Sequence, residues 1–143
     1  MKRGYWIIVI VLIPALLGSC GLVEPEPELT PQEVVTKFYR WYIGYPANPL
    51  VDKAYRDSPY LATSFIQQVD ETLASFELGG ADPFLLAQDI PVKFTVGGAE
   101  LADDRAVVSV DLYWGGNPDP SVRQVELHLI DGEWKITGVS FPD

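Results

Sequence analysis

Apolar positions along the 143-residue chain follow three successive rhythms: an unbroken run, a helical spacing and an alternation. The unbroken run extends from Tyr5 to Leu17. From Val34 to Phe76 apolar residues recur every three or four positions, as on one-sided helices. Thr30-Pro31-Gln32-Glu33 supplies a helix start: an N-cap hydroxyl, a first-turn proline and a glutamate three residues after the cap. Behind it Val34, Phe38, Trp41 and Tyr45 form one stripe and Val35, Tyr39 and Tyr42 an adjacent one, with Glu33, Thr36, Lys37 and Arg40 opposite. So wide an apolar arc suits a helix held between a sheet and a second layer, and Pro46 with Pro49 ends it. Ser58-Pro59 predicts a second helix to about Glu77, whose stripe is Leu61, Ala62, Phe65, Ile66, Val69, Leu73 and Phe76 and whose stop is Gly79-Gly80. Asp82 then caps a predicted short helical turn reaching Asp89.

Beyond Ile90 the period shortens to two. Val92, Phe94 and Val96 make a first strand, and Ala106, Val108, Val110, Leu112 and Trp114 a second. Val125, Leu127 and Leu129 mark a third, joined by the hairpin signal Asp131-Gly132 to a fourth with Trp134, Ile136 and Val139. Helices first and strands after predict an α+β class, with N-terminal helices on the apolar face of a curved four-stranded antiparallel sheet.

The leading run changes the picture of location. Met1-Lys2-Arg3 is basic, and the apolar stretch after it carries Pro14 and is shorter than the roughly 20 residues a spanning helix needs, so residues 1–19 read as an export signal. Leu17-Gly18-Ser19-Cys20 resembles the bacterial lipobox, which implies that Cys20 becomes an acylated N-terminus held on a membrane by its lipid. Residues 20–29 continue with alternating Glu and Pro, an extended tether of about 3.1 Å per residue. The expected location is the bacterial cell envelope, on the outer side of the cytoplasmic membrane or on the outer membrane. Residues 30–143 form a single domain.

Charge narrows the partners. Ten Lys and Arg against twenty Asp and Glu give −10, and loss of Lys2 and Arg3 with the leader leaves −12, a field that repels nucleic acid. With one Cys and one His, no disulfide within the chain and no zinc set is expected, and no cofactor, metal or catalytic residue is assigned. Asp111, Glu126 and His128 fall on the polar side of their strands, where solvent accounts for them. The candidate ligand-binding residues are the amphipathic aromatics Tyr39, Tyr42 and Tyr60, with Arg56 as a counter-charge and Asp82, Gln88 and Asp89 around an apolar run that could fasten across a cleft.

Three segments, Phe38-Tyr39-Arg40-Trp41-Tyr42, Ser58-Pro59-Tyr60-Leu61 and Asp82-Pro83-Phe84-Leu85-Leu86-Ala87-Gln88-Asp89, followed by the strands, resemble a bacterial family known as domain of unknown function 3828. The resemblance covers Thr30 to Phe141 and implies the cone of the nuclear-transport-factor-2-like superfamily in an exported or lipid-anchored protein, with no activity attached. The reading that follows is a non-enzymatic domain binding a small apolar or polar ligand or an envelope protein. Its rival is a hydrolase or isomerase using Asp82 or Asp89 as acid or base. A homodimer through the outer sheet face is a further candidate.

Overall fold

Thr30 opens the first helix as its sequence dictates. Its Oγ1 accepts from the Glu33 backbone N–H at 3.3 Å, and Glu33 Oε2 accepts from the Thr30 N–H at 2.8 Å. The computed structural model describes residues 28–75 and 80–143. They form α1 (Pro31–Ile43), a 3-10 turn (Ala54–Asp57), α2 (Thr63–Ser75), and strands β1 (Lys93–Ala102), β2 (Arg105–Tyr113), β3 (Ser121–Ile130) and β4 (Glu133–Ser140). The expected leader, Cys20 and tether as far as Pro27, and the expected helix stop from Phe76 to Gly79, lie outside the described residues.

The four strands form one antiparallel sheet in the order β1-β2-β3-β4, and α1 crosses β1, β2 and β4 while α2 lies on β4. This is the α+β layering that the change of period predicts. Both predicted stripes of α1 are used: Val34, Val35, Phe38, Tyr39 and Tyr42 are buried, with Trp41 half-buried at the margin. They meet Val108, Val110 and Leu112 of β2, Val125 and Leu127 of β3, and Trp134 and Ile136 of β4. Burying such side chains contributes roughly 1.5–3 kcal/mol each before ordering costs, so this face holds the fold together.

Two bulges keep the inner face apolar while bending the sheet. In β1, Gly97 and Gly98 together oppose Ser109, so that Val96 and Ala99 both face inward. A Cβ on Gly97 would stand 2.2 Å from Ser109 Oγ, which explains a glycine at this close approach. In β4, Thr137 and Gly138 oppose Glu126, which accounts for the three-residue step from Ile136 to Val139 in an otherwise two-residue rhythm.

Three expectations differ. β1 begins after Val92, which is exposed, and runs on through the glycine pair to Ala102. Ser58-Pro59 does not cap α2: Tyr60 O accepts from Ile136 N and Ala62 N donates to Ile136 O, so this segment bridges to the edge of β4 before α2 starts at Thr63. The turn that Asp82 caps is a single one and stops short of Asp89: Leu86 N–H donates to Asp82 O at 2.7 Å, Leu86 turns to φ 50, and Asp82 N–H to Ala87 O at 2.8 Å closes the segment as a tight loop.

Candidate functional site

The loop Asp82–Asp89 is fastened to the core through its side chains and its carbonyls. Phe84 is fully buried, with ring centroids 5.3 Å from Phe38, 5.0 Å from Tyr42, 5.7 Å from Tyr55 and 5.6 Å from Phe65. Tyr39 Oη donates to Phe84 O at 2.7 Å, and Tyr42 Oη donates to Asp82 Oδ2 at 2.6 Å. Asp82 Oδ1 accepts from the N–H groups of Phe84 and Leu85, an Asx turn that sets the loop's entry. Both oxygens of the carboxylate are therefore engaged in holding the loop.

Burial moves these groups in a consistent direction. Desolvation first, then the Asp82 charge, pushes both phenols of Tyr39 and Tyr42 well above the ordinary tyrosine range. Burial also raises Asp82, against the pull of its bonds from Tyr42, Phe84 and Leu85. A carboxyl raised on folding adds stability that is complete below its unfolded value, near 3.9, and fades as pH rises through the folded one. Asn at position 82 keeps an acceptor for the two N–H groups and cannot ionise. The stability of wild type relative to Asp82→Asn should therefore decline from acid toward neutral pH in urea titrations. A difference constant over that range would show that Asp82 does not carry the burden described.

Arg123 completes the fastening from the sheet side and was not singled out by its residue type. It sits on β3 with the parity of Val125 and Leu127, 2% exposed, and opposes Val110 on β2. Its Nε donates to Leu85 O at 2.6 Å and Nη2 to Leu86 O at 3.4 Å, while Nη1 reaches Ser121 Oγ and Val122 O. The guanidinium stacks 4.4 Å from the Phe141 ring centroid, and burial lowers its pKa. The sequence signal was there: alternation back from Val125 puts position 123 on the apolar face.

Of the sequence candidates, Tyr39, Tyr42 and Asp82 come together, as fasteners of this loop. Asp89 is exposed and its carbonyl accepts from Trp114 Nε1 at 3.0 Å, away from the Asp82 carboxylate. Gln88 is exposed on the same loop. Arg56 is held instead by Asp70, with Nη2 to Oδ1 at 3.0 Å, and Asp70 also accepts from Tyr55 Oη. That phenolic bond first, and Arg56 next among its partners, hold the Asp70 carboxyl below its usual range. Asp111, Glu126 and His128 lie on the outer sheet face, and no group of three His, Cys, Asp or Glu that could hold a metal occurs among the described residues.

Tyr60 goes elsewhere. With Trp41, Tyr45, Asp57 and Pro59 it lines an open groove of about 400 Å³ where the end of α1 meets the 3-10 turn, and on its other side it borders a smaller cleft of about 120 Å³ with Leu29, Val34 and Trp134. Trp41 and Tyr45 meet edge to face with centroids 5.8 Å apart.

No protein-family model matches the chain, and neither does any curated protein. Among solved structures, the chain is similar to a chain of the native type VI effector-immunity complex Tae3-Tai3 from Ralstonia pickettii, at 27% identity and a TM-score of 0.63. The match covers 80% of this chain and 96% of that one. The selenomethionine form of the same complex matches at 27% identity and a TM-score of 0.62, over 80% and 97% of the two chains.

Proposed function

We propose that this chain is a non-enzymatic protein-binding domain of the immunity kind, which captures an effector protein in the cell envelope and blocks it. The observation that carries the reading is the likeness to a chain of the Tae3-Tai3 effector-immunity complex over nearly that chain's whole length. Two features of the site support it. The interior is filled by Phe38, Tyr39, Tyr42, Phe65 and Phe84, which leaves little room there for a substrate. Asp82, the carboxylate best placed for acid or base chemistry, already serves Tyr42, Phe84 and Leu85. The acidic surface adds electrostatic steering toward a basic partner.

The envelope location belongs to the same reading and rests on the leader and on Leu17-Gly18-Ser19-Cys20, whose lipobox pattern assigns the lipid to Cys20. The likeness of the three segments to domain of unknown function 3828 agrees with an exported, tethered module. Both parts are tested by exporting an effector of the type found in that complex, taken from the same genome, into cells with and without this chain. Full-length chain should restore growth and co-purify with the effector, and Cys20→Ser should lose incorporation of a palmitate analogue. Failure to restore growth or to form a complex would overturn the immunity role, and equal labelling of Cys20→Ser would overturn the anchor.

A further inference from the structure

The groove beside α1 differs from the core in the state of its polar tips. Inside, the hydroxyls of Tyr39, Tyr42 and Tyr55 all have acceptors. In the groove, Trp41 Nε1 and Tyr60 Oη have none among the described residues, and the Asp57 carboxylate has neither a hydrogen bond nor an ion pair there. Three half-buried aromatic rings thus line the groove together with the exposed Asp57 carboxylate, and a second carboxylate, Asp52, engages the Tyr45 hydroxyl at its margin. The neighbouring cation, Arg56, is committed to Asp70 on the other side of the turn.

Resting on the protein-binding reading above, we infer that the Trp41, Tyr45, Asp57 and Tyr60 groove is the slot that seats an arginine or lysine side chain of the partner protein. Aromatic faces carry negative charge density and attract a cation within about 6 Å of the ring, Trp most strongly. Asp57 supplies the full countercharge, and the Pro59 ring continues the apolar wall along which a basic side chain lays its methylene stem. Trp and Tyr anchors around a desolvated contact are the kind of residue on which interface affinity concentrates. The surplus of acids over the whole chain brings a basic surface to this place and favours a cation over a neutral group.

Two measurements test the slot. The first needs no effector: the full chain, held in detergent, titrated with N-acetyl-arginine amide, its uncharged citrulline analogue and N-acetylglucosamine, followed by NMR. Millimolar arginine amide should shift the Trp41 indole and the Asp57 and Tyr60 amides, the citrulline compound far less, and Asp57→Lys should abolish the response. No shift with arginine amide, or a stronger one with the sugar, overturns the slot. The second is affinity for the effector. Trp41→Ala should weaken it about 30-fold and Asp57→Asn about 5-fold, the scale of a cation–π contact and an exposed ion pair. Asp57→Asn touches no packing contact and guards against a folding defect in Trp41→Ala. Unchanged affinity in both variants would remove the slot and leave the protein-binding reading standing. If wild type binds no effector, that reading falls, and the arginine titration still decides the chemistry of the groove.

Discussion

Truncating Phe84 to alanine should cost the domain about 3–5 kcal/mol in chemical denaturation, the range for removing a buried aromatic ring. That is a large part of the roughly 5–15 kcal/mol that a domain of this size has in hand. The size of the effect follows from where the ring sits. Phe84 comes from a loop, yet it contacts Phe38 and Tyr42 of α1, Phe65 of α2 and Tyr55 of the 3-10 turn at centroid distances of 5.0 to 5.7 Å. It is the ring on which the two helices and the turn converge, and the cavity left by alanine would have no single neighbour able to fill it. Phe84→Leu keeps much of the volume and should lose about 1–2 kcal/mol. A loss below about 1 kcal/mol for alanine would show that the loop is an ornament on a core that closes without it.

Replacing Arg123 by alanine should destabilise by about 2–4 kcal/mol. The Leu85 and Leu86 carbonyls would lose charged donors, and an unsatisfied buried acceptor costs about 1–3 kcal/mol. Arg123→Met should cost less, because it fills space and removes the desolvation of a buried cation that has no carboxylate partner among the described residues. Either change should speed hydrogen exchange at the amides of Phe84 to Ala87 before it affects β2 and β3. Unchanged exchange in that loop would mean that the backbone bonds of Asp82 suffice to hold it.

These two residues also mark where the sequence was easy to read and where it was not. The start of α1, its two buried stripes, the inward parity of β2 and β3 and the Asp131-Gly132 turn are all set by neighbours within a few positions, and all appear in the fold. Asp82–Asp89 carries a cap and an apolar run, which locally favour a helical turn. That turn forms once and goes no further, its next carbonyls being taken by Tyr39, 45 positions away, and by Arg123, 38 positions away. A long-range acceptor demand of that kind leaves no periodic trace. Ser58-Pro59 misled for a related reason, since the backbone after it is recruited by Ile136 across the edge of β4. Tyr39 and Tyr42 were recognisable as phenols needing partners, but only the fold shows that the partners are inside. Tyr60 kept its place at a surface beside Trp41, an amphipathic aromatic suited to lining a cleft, whereas Asp57, which shares their groove, gave no signal beyond a lone acid.

The short pairing of Tyr60–Ala62 with Ile136 has one more consequence. It covers the middle of the β4 edge, while β1 on the other side has no ladder neighbour beyond β2 among the described residues. Addition of strand to strand between copies is then favoured along β1, where a pair of molecules uses up both open edges, and growth edge to edge into a fibre is disfavoured.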